Sequence, residues 1–443
     1  MTDLLEDDLG TWRRTHYSTN IDPSLRDQEV IVMGWVSSVR DHGNITFIAL
    51  NDRFGHIQIA LKKKNCPKDL LNKIEGVREH TSIAVKGKVK YEMKAPNSAE
   101  IIPLELKILS IAKKSSPFPI QSRQSVGIDT RLDLRAVDLR RPLLQSIFNI
   151  RYTVLNSCRD FLKEEGFLEV NTPKIIATAT EGGATLFPIF YYNREAFMAQ
   201  SPQLYKEQLT MAFENVFEIA PIFRAEPSRT NRHLSEAISI DVEKAFADYS
   251  DVTILLEKMI VYIINKIKEN NKFHLNYLGA TLPEVTMPIP RYQYSELVEM
   301  LQNAGESIEW GDDLAFQKLQ KIQIKNMDSF YFIVDWPSAI KPFYVKPNPK
   351  QPRVCESFDL MFKSLEISSG STRIKNKDEL MDRMKQQGLK VEAFDSHLRI
   401  FDYGIPPHAG FGVGLERLMM SLCNVDNIRD ATLYPRDIDR LTP

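Results

Sequence analysis

The N-terminal part of the chain alternates apolar and polar residues in short runs. Such alternation predicts β-strands that bury one face. We expect five of them, over residues 29–40, 45–50, 56–61, 81–92 and 101–111, with a helix over 68–77 between the third and the fourth. This order of elements is that of an OB-fold β-barrel, a common binder of nucleic acids. Another small β-barrel would give the same pattern and stays open on these grounds.

Later in the chain, long helical periodicities are combined with short apolar runs. The spacing of apolar residues predicts helices over 143–165 and 251–270. Strand-like runs interrupt them at 197–200, 216–219, 238–243, 331–336, 357–362 and 365–368. Long helices beside antiparallel strands indicate an α+β fold.

The two patterns divide the chain. Residues 113–141 show little periodicity and carry several arginines, which is typical of a linker. We therefore expect an N-terminal extension with the barrel over 1–112, a linker over 113–141 and an α+β domain over 142–443. The fold class is α+β multidomain.

Composition excludes several classes of protein. Lysine plus arginine (57) nearly balance aspartate plus glutamate (58), so a nucleic acid must be bound by local patches of charge. The four cysteines form no Cys-x-x-Cys pair, so we expect no zinc site and no disulfide framework. No apolar run approaches the roughly 20 residues that cross a bilayer, and the acidic N-terminus lacks a signal-peptide core. We expect a cytoplasmic protein with no membrane association.

Two arginine-centred stretches indicate chemistry. One is Phe223-Arg224-Ala225-Glu226 with a polar loop to His233 and an apolar return run, and the other is the glycine-rich run 410–418 around Arg417. The planar, permanently charged guanidinium suits polyphosphates, and glycine lets the backbone approach a ligand. Each stretch alone is weak, because an arginine in a buried network is more often structural than catalytic.

Together and in this order, the two stretches resemble motifs 2 and 3 of class II aminoacyl-tRNA synthetases. Residues 152–173, a helix followed by Gly166-Phe167-Leu168-Glu169-Val170 and Pro173, resemble motif 1, which builds the dimer interface in that family. The chain has no Gly-x-x-x-x-Gly-Lys-Ser/Thr loop, which argues against a P-loop ATPase.

Three further strings, over 179–184, 200–206 and 366–373, are similar to the amino-acid site of aspartyl-tRNA synthetases. The resemblance runs from about Arg14 to Pro443 and is closest to the compact archaeal and eukaryotic form. It implies an OB-fold anticodon-binding domain and a class II antiparallel-sheet catalytic domain. It also implies ATP, L-aspartate and tRNA(Asp) as partners, a homodimer through motif 1, and Mg²⁺ as cofactor.

The resemblance also assigns residues. Arg224 and Arg417 are the catalytic pair. Aspartate binding falls to Glu181, Ser201, Gln203, Lys206, Arg224, Asp241, Ser369 and Arg373. ATP binding falls to Arg224, Glu226, Arg232, His233, Leu234, Glu366, Gly414, Leu415, Glu416 and Arg417. The predicted magnesium ligands are Glu366, Ser369 and Asp359, and the residues predicted to bind the anticodon are Arg40, Phe47 and Gln58.

The charges of aspartate support this assignment independently. A selective pocket needs at least two cations and one anion, and Lys206 and Arg373 can face the side-chain carboxylate while Glu181 faces the ammonium. Asparagine would leave buried cations without a counter-charge, which is a strong penalty. Asp241 orients Lys206 or forms an ordinary salt bridge. The reaction needs no protein nucleophile, only positioning and charge stabilisation.

Two positions depart from the family pattern. Ala237 stands where many relatives carry a phenylalanine that stacks on adenine. Relatives that also charge tRNA(Asn) carry a tryptophan and a lysine where this chain has Ser37 and Pro96. Because proline fixes the backbone and removes a donor, these residues favour an enzyme that discriminates against tRNA(Asn), with the non-discriminating form as the alternative.

Other readings are less well supported. Asparaginyl- and lysyl-tRNA synthetases share the barrel and the motifs, but an asparagine pocket has no use for both Lys206 and Arg373. A tRNA-independent asparagine synthetase lacks the barrel. A catalytically inactive paralogue would have lost a motif arginine or the magnesium carboxylate, and Arg224, Arg417 and Glu366 are all present.

Overall fold

The computed structural model describes residues 6–120, 126–178, 186–322, 324 and 328–443. The chain forms two compact units, Met1–Pro142 and Leu143–Pro443. The segment 113–141 belongs to the first unit. Each unit has an apolar core of its own.

A closed five-stranded barrel forms most of the first unit. Its strands are β1 (Glu29–Asp41), β2 (Ile45–Asn51), β3 (His56–Lys62), β4 (Ser82–Tyr91) and β5 (Ala99–Ser110), in the order β1-β2-β3-β5-β4. Helix α1 (Lys68–Gly76) lies between β3 and β4. Strand β3 pairs in parallel with β5, and the other pairs are antiparallel. The predicted OB-fold is confirmed, and the predicted strand ends agree within about two residues.

Alternation explains the barrel, and glycines allow its tight crossings. Even-numbered residues of β2 are buried and odd-numbered ones half-buried, as expected of a strand with one face on a core. A Cβ atom on Gly34 would lie 2.1 Å from the carbonyl oxygen of Asn51. Only glycine permits β1 to pass β2 so closely.

The arginines after the barrel stabilise the fold locally. Two short helices, α2 (Ile128–Asp133) and α3 (Arg135–Asp138), follow the barrel. The fully buried carboxylate of Asp138 lies 2.7 Å from Arg135, 3.0 Å from Arg131 and 3.6 Å from Arg141. Such a cluster satisfies the buried charge from several sides.

The second unit is an α+β domain around an eight-stranded sheet of order β12-β13-β16-β17-β18-β11-β10-β6. The strands of the whole unit, of which five lie in two smaller sheets, are β6 (Leu168–Glu169), β7 (Ile175–Ile176), β8 (Pro188–Tyr191), β9 (Arg194–Met198), β10 (Asn215–Phe223), β11 (Glu236–Ala245), β12 (Arg291–Gln293), β13 (Phe330–Val334), β14 (Pro347–Asn348), β15 (Gln351–Cys355), β16 (Ser357–Phe362), β17 (Leu365–Thr372) and β18 (His408–Gly414). Antiparallel pairs form the middle of the sheet, and the outermost pairs, β6–β10 and β12–β13, are parallel. The predicted antiparallel-sheet domain is confirmed.

Helices cover this sheet and connect its strands. They are α4 (Pro142–Glu164), α5 (Gln203–Phe213), α6 (Tyr249–Asn270), α7 (Lys272–Leu278), α8 (Tyr294–Asn303), α9 (Phe316–Leu319), α10 (Lys377–Gln386), α11 (Asp395–Leu398) and α12 (Leu415–Cys423). Helix α6 begins with a capping box of Asp248 and Asp251 and packs its apolar face on the sheet. Among the described helices, none is long and apolar enough to span a membrane.

Helix α5 was not predicted. Its buried face carries Gln203, Lys206, Glu207 and Thr210, with Leu204 as its single apolar member. Hydrophobic periodicity does not detect a helix that buries polar side chains.

Candidate active site

A cleft of about 570 Å³ opens on the central strands of the sheet. Strands β10, β11, β17 and β18, the start of α5, and residues 340–342, 344 and 345 line it. Of the predicted site residues, it gathers Ser201, Gln203, Lys206, Arg224, Glu226, Arg232, His233, Leu234, Asp241, Glu366, Ser369, Arg373, Gly414, Glu416 and Arg417. Glu181 lies outside the described residues. Leu415 is fully buried and Asp359 nearly so, and neither lines the cleft.

One part of the cleft, here the buried half, is lined by Lys206, Asp241, Ser371 and Arg373, which form a network with Glu243, a fully buried residue outside the cleft lining. Lys206 Nζ lies 3.0 Å from Asp241 Oδ1 and 3.3 Å from Glu243 Oε2. Arg373 donates to both carboxylate oxygens of Glu243, at 2.9 and 3.1 Å, and to Ser371 Oγ at 2.6 Å. All five residues are at most 5% exposed. Two-point pairing of this kind holds the guanidinium in one orientation.

Burial and pairing oppose each other at Arg373. Burial alone would lower the pKa of Arg373, but the carboxylate of Glu243 raises it above the ordinary value. The guanidinium of Arg373 therefore stays charged although it is buried.

Glu243, which pairs with both Lys206 and Arg373, was not predicted from the sequence. Strand β11 places polar side chains at Ser239, Asp241 and Glu243, two residues apart and therefore on one face. That alternation was available in the sequence. What it could not show is that Glu243 bridges Lys206 and Arg373.

The glycines of β18 make room for these carboxylates. Gly410 pairs with Glu243 and Gly412 with Asp241 across the strands. A Cβ atom on Gly410 would lie 2.1 Å from Glu243 Oε2, and one on Gly412 would lie 3.2 Å from Asp241 Oδ1. At these two positions the glycines accommodate the protein's own buried charges, whereas the sequence suggested access for a ligand.

The other part, here the open half, consists of Arg224, Arg232, His233, Glu366 and Arg417. Arg417 donates to the backbone oxygen of Glu366 at 3.1 Å, and its guanidinium lies 3.7 Å from Glu366 Oε2. The side chains of this pair are 25% and 47% exposed. Arg232 lies over the ring of Phe316 at 3.8 Å, a cation–π contact that the sequence did not suggest.

Positive charge dominates the open half. Desolvation would raise the pKa of Glu366, but Arg417, Lys341, Arg224 and His233 together lower it. Partial burial, followed by Arg417 and Arg232, lowers the pKa of His233. Such a surface suits a polyanion.

Two predicted ATP residues have structural partners. Glu416 is 1% exposed, accepts from Arg151 at 2.9 Å and from the Ile238 backbone N–H at 2.9 Å. Leu415 packs in the core, so only its backbone can reach a ligand. Arg151, on α4, was missed by the sequence reasoning because its partner lies 265 positions away.

The oxygens assigned to magnesium fit a hard cation. Glu366 and Ser369 are exposed at the cleft, and carboxylate and hydroxyl oxygens are ligands that Mg²⁺ accepts beside water and phosphate. Asp359 stands opposite Ser369 in the sheet, and Lys341 Nζ donates to both of its carboxylate oxygens at 2.8 Å. Burial raises the pKa of Asp359 in spite of that lysine.

Around Ala237, the cleft wall is aliphatic. Ala237 pairs with Ile222 across the strands, and both line the cleft.

The barrel brings its three predicted residues together on its outer surface. Arg40 and Phe47 are cross-strand partners, with the guanidinium 5.9 Å from the ring, and Arg40 donates to Gln58 at 3.3 Å. Phe47 is half-buried and stands outside the apolar core of the barrel. Ser37 donates to the backbone oxygen of Ala49 beside a bulge of β1, and Pro96 begins the turn between β4 and β5.

Both units match known families. A family model described as tRNA synthetases class II (D, K and N) matches residues 127–438, and one described as an OB-fold nucleic acid binding domain matches residues 30–109. The chain belongs to the class II tRNA synthetase family of the D, K and N group.

Individual relatives narrow the similarity further. The aspartate–tRNA(Asp/Asn) ligase of Methanothermobacter thermautotrophicus is 48% identical over 98% of this chain and 100% of its own length. The aspartate–tRNA(Asp) ligase of Pyrococcus abyssi is 44% identical over 97% of this chain and 100% of its own. A crystal structure of asparaginyl-tRNA synthetase from Pyrococcus horikoshii with asparaginyl-adenylate superposes with a TM-score of 0.90 at 31% identity, covering 97% of this chain and all of the other.

Proposed function

We propose that this protein activates L-aspartate with ATP to aspartyl-adenylate and transfers the aspartyl group to tRNA(Asp). The observation that carries the proposal is the pair of buried cations, Lys206 and Arg373, which are 2% and 4% exposed on one side of the cleft. Three of the five N–H groups of Arg373 donate to Glu243 and Ser371 within the described chain. Two remain for the side-chain carboxylate of the substrate.

This arrangement favours aspartate over asparagine. The amide nitrogen of asparagine is a donor and would face N–H groups that need an acceptor. A buried donor without an acceptor is penalised strongly, and sites of this type reject such analogues well. The high structural similarity to an asparaginyl enzyme therefore supports a shared fold, while the buried half supports the aspartate assignment.

Positioning and charge stabilisation account for the activation step. An oxygen of the α-carboxylate of aspartate attacks the α-phosphorus of ATP. A new O–P bond forms, and the bond between the α-phosphorus and the leaving pyrophosphate breaks. Arg224 and Arg417 stabilise the charge that builds on the phosphate oxygens. Glu366 and Ser369, with Asp359 beside them, would hold Mg²⁺, which neutralises phosphate charge when bound. Ser201, Gln203 and Glu181 hold the amino acid.

The remaining assignments concern the nucleotide. Glu226, Arg232, His233 and Leu234 of motif 2, and the backbone from Gly414 to Arg417, hold the triphosphate and adenosine. With Ala237 and Ile222 at the wall, adenine packs against aliphatic side chains there.

Amino-acid specificity is tested by ATP–pyrophosphate exchange with a panel of amino acids and no tRNA. We expect exchange with aspartate alone. Exchange with asparagine or lysine and none with aspartate would refute the assignment. Arg224→Ala should abolish exchange in a protein whose circular dichroism spectrum is unchanged.

The anticodon is assigned to the barrel face of Arg40, Phe47 and Gln58. A half-buried aromatic ring outside the barrel core, flanked by a guanidinium and an amide, suits a stacked, hydrogen-bonded base, which is how OB-folds bind single strands.

For tRNA choice, Ser37 and Pro96 support discrimination against tRNA(Asn). Pro96 starts a turn that is held by Asn97, whose side chain donates to the backbone oxygen of Ser18 at 3.1 Å. A turn with a fixed backbone tolerates fewer bases at the third anticodon position beside it. The second candidate, charging of both tRNAs, is favoured by the name of the Methanothermobacter relative.

The two candidates are separated by charging both tRNAs with aspartate under matched conditions. Discrimination predicts a strong preference for tRNA(Asp) that relaxes in the Ser37→Trp, Pro96→Lys double variant. Comparable efficiency with both tRNAs would establish the second candidate.

The homodimer is proposed through motif 1. Strand β6 is the outermost strand of the eight-stranded sheet, and the apolar side chains of Leu168 and, on α4, Tyr152 are exposed there. An exposed sheet edge with apolar residues is prone to pair. Light scattering should give twice the chain mass, and Leu168→Asp should shift it toward the monomer.

A further inference from the structure

Three titratable side chains are buried together behind Gln203. Glu207 follows Gln203 by one turn of α5, His397 lies on α11, and His408 begins β18. They are 0%, 1% and 0% exposed. The activation step has no use for them. We call Glu207, His397 and His408 the buried triad.

Glu207 connects the triad to the amino-acid site. Its Oε1 accepts from Gln203 Nε2 at 2.6 Å. Its Oε2 lies 3.5 Å from the Nε2 atom of His397 and 3.5 Å from that of His408. Within the described part of the chain, these three facing atoms have no hydrogen-bond partner, so the 3.5 Å contacts are the nearest polar contacts that the structure gives them.

The surroundings of His408 require a proton between His408 and Glu207. Nδ1 of His408 lies 2.8 Å from the backbone oxygen of Pro406, which can only accept, so Nδ1 carries hydrogen. A neutral imidazole has one N–H, so a neutral His408 would turn the lone pair of Nε2 toward a carboxylate. A second proton on the ring removes this repulsion.

His397 faces the same carboxylate. Its Nδ1 accepts from Gln208 Nε2 at 3.3 Å, so Nδ1 carries no hydrogen and the ring N–H is on Nε2, toward Glu207. Glu207 thus accepts from Gln203 through one oxygen, and its other oxygen lies 3.5 Å from Nε2 of each histidine.

The charges packed against the buried triad favour the protonated form of His408. Burial alone would lower the pKa of His408, but Glu207, with Glu243 and the Pro406 carbonyl, raises it above the ordinary 6.5. Burial alone would raise the pKa of Glu207, but the two histidines lower it.

The total charge of the triad and the buried half depends on that proton. With His408 protonated, three cations face three anions: Lys206, Arg373 and His408 against Asp241, Glu207 and Glu243. The buried region is then neutral before aspartate brings its side-chain carboxylate. Without the proton it carries one net negative charge, which repels that carboxylate.

We infer that the buried triad positions Gln203 and makes aspartate binding depend on the proton held between His408 and Glu207. The inference rests on the proposed function, since it concerns the affinity for aspartate. Loss of the proton has two effects, because it adds a negative charge behind the pocket and turns a lone pair toward the carboxylate that holds Gln203. Both weaken the binding of aspartate and neither concerns ATP.

The direction of the pH dependence follows from the raised pKa of His408. The proton is fully present below pH 6.5 and is lost as the pH rises through the folded-state pKa. Aspartate affinity is therefore highest at the acidic end and falls at alkaline pH.

The test is the pH profile of ATP–pyrophosphate exchange between about pH 6 and 9, where a histidine with a raised pKa titrates. In the unmodified protein, KM for aspartate should rise by up to about tenfold per pH unit above the transition, as for loss of one proton, while KM for ATP stays flat. His408→Gln keeps a donor toward Glu207 but cannot titrate, so its KM for aspartate should be constant across the range. His274→Gln, on α7 beside Ser146 and not among the residues that line the cleft, is the matched control and should keep the unmodified profile.

A second measurement needs no variant. Calorimetry of aspartate binding in two buffers of different ionisation enthalpy counts protons. We expect uptake approaching one proton per site above the transition and none near pH 6. Absence of uptake at every pH, or the same pH profile in the unmodified protein and in His408→Gln, would overturn the inference.

The two proposals fail in different ways. No exchange with aspartate at any pH would refute the proposed function. Strong exchange with aspartate and a KM that does not change with pH would refute only the role of the triad.

Discussion

The buried half and the open half of the cleft hold their charges in different ways. In the buried half, ion pairs of 2.9 to 3.3 Å join side chains that are at most 7% exposed. In the open half, the Glu366–Arg417 pair is 3.7 Å apart, with side chains 47% and 25% exposed. The charges of the buried half are paired with one another, whereas those of the open half are partly exposed to solvent.

The difference follows from what each half is proposed to bind. Aspartate is small, and rejecting asparagine requires dry cations fixed in place before the substrate arrives. A triphosphate is large and brings its own charges and ions, so solvated arginines suffice to bind it. We therefore expect substitutions in the buried half to damage both the fold and the activity, and those in the open half to damage the activity alone.

The largest effect should come from Glu243→Gln. This change removes the charge that pairs with both Lys206 and Arg373 and leaves the two cations buried. Breaking a buried pair in this way costs about 3–5 kcal/mol, so chemical denaturation should show that loss and exchange should vanish. Glu356→Gln, which breaks a more exposed pair with Lys346 at 3.0 Å, is the matched control and should lose roughly 0–1 kcal/mol. Equal losses would remove the basis of the comparison.

Arg417→Ala should separate activity from stability. Removing a donor that stabilises developing charge lowers turnover by on the order of 10²–10³-fold. The guanidinium is partly solvated, so the free energy of unfolding should change by less than about 1 kcal/mol. Exchange kinetics and urea denaturation measure the two quantities. If the variant unfolded as readily as Glu243→Gln, the open half would be as structural as the buried one.

Phe47→Ala extends the comparison to the barrel. Because Phe47 stands outside the barrel core, the variant should fold normally and form aspartyl-adenylate at the usual rate. Charging of tRNA should weaken by about 1–3 kcal/mol, the contribution of one stacked base. Phe54→Ala, an exposed phenylalanine in the turn after β2, is the control and should charge normally. Early melting of Phe47→Ala with equal loss of exchange would mean that Phe47 is a core residue.

The smallest effect should come from Asp439→Ala. Arg229 and Asp439 join the motif 2 loop to the C-terminal segment, and their side chains are 70% and 60% exposed. Water and salt screen such a pair, so the thermal midpoint and the exchange rate should stay unchanged. Asp437→Ala breaks the pair with Arg429 within the C-terminal segment, at 2.6 Å with side chains 4% and 14% exposed. It should lower the midpoint clearly, and a reversed order would contradict the role of burial.

Much of the fold could be predicted from local patterns. The five barrel strands and helices α4 and α6 were placed to within about two residues because their buried faces are apolar, and apolar burial leaves a period in the sequence. The motif resemblance named most of the charged side chains that line the cleft. The resemblance identified these residues because the chemistry of the substrates requires arginines and carboxylates in a fixed order along the chain.

What only the tertiary structure decided concerns buried polar groups. Helix α5 was missed because its inner face is polar. Glu243, the close fit of Gly410 and the buried triad of Glu207 all depend on partners more than 100 positions away. A buried charge is stable only with such partners. The sequence gives the order of the charged residues along the chain. Only the folded chain determines which of them become buried next to each other.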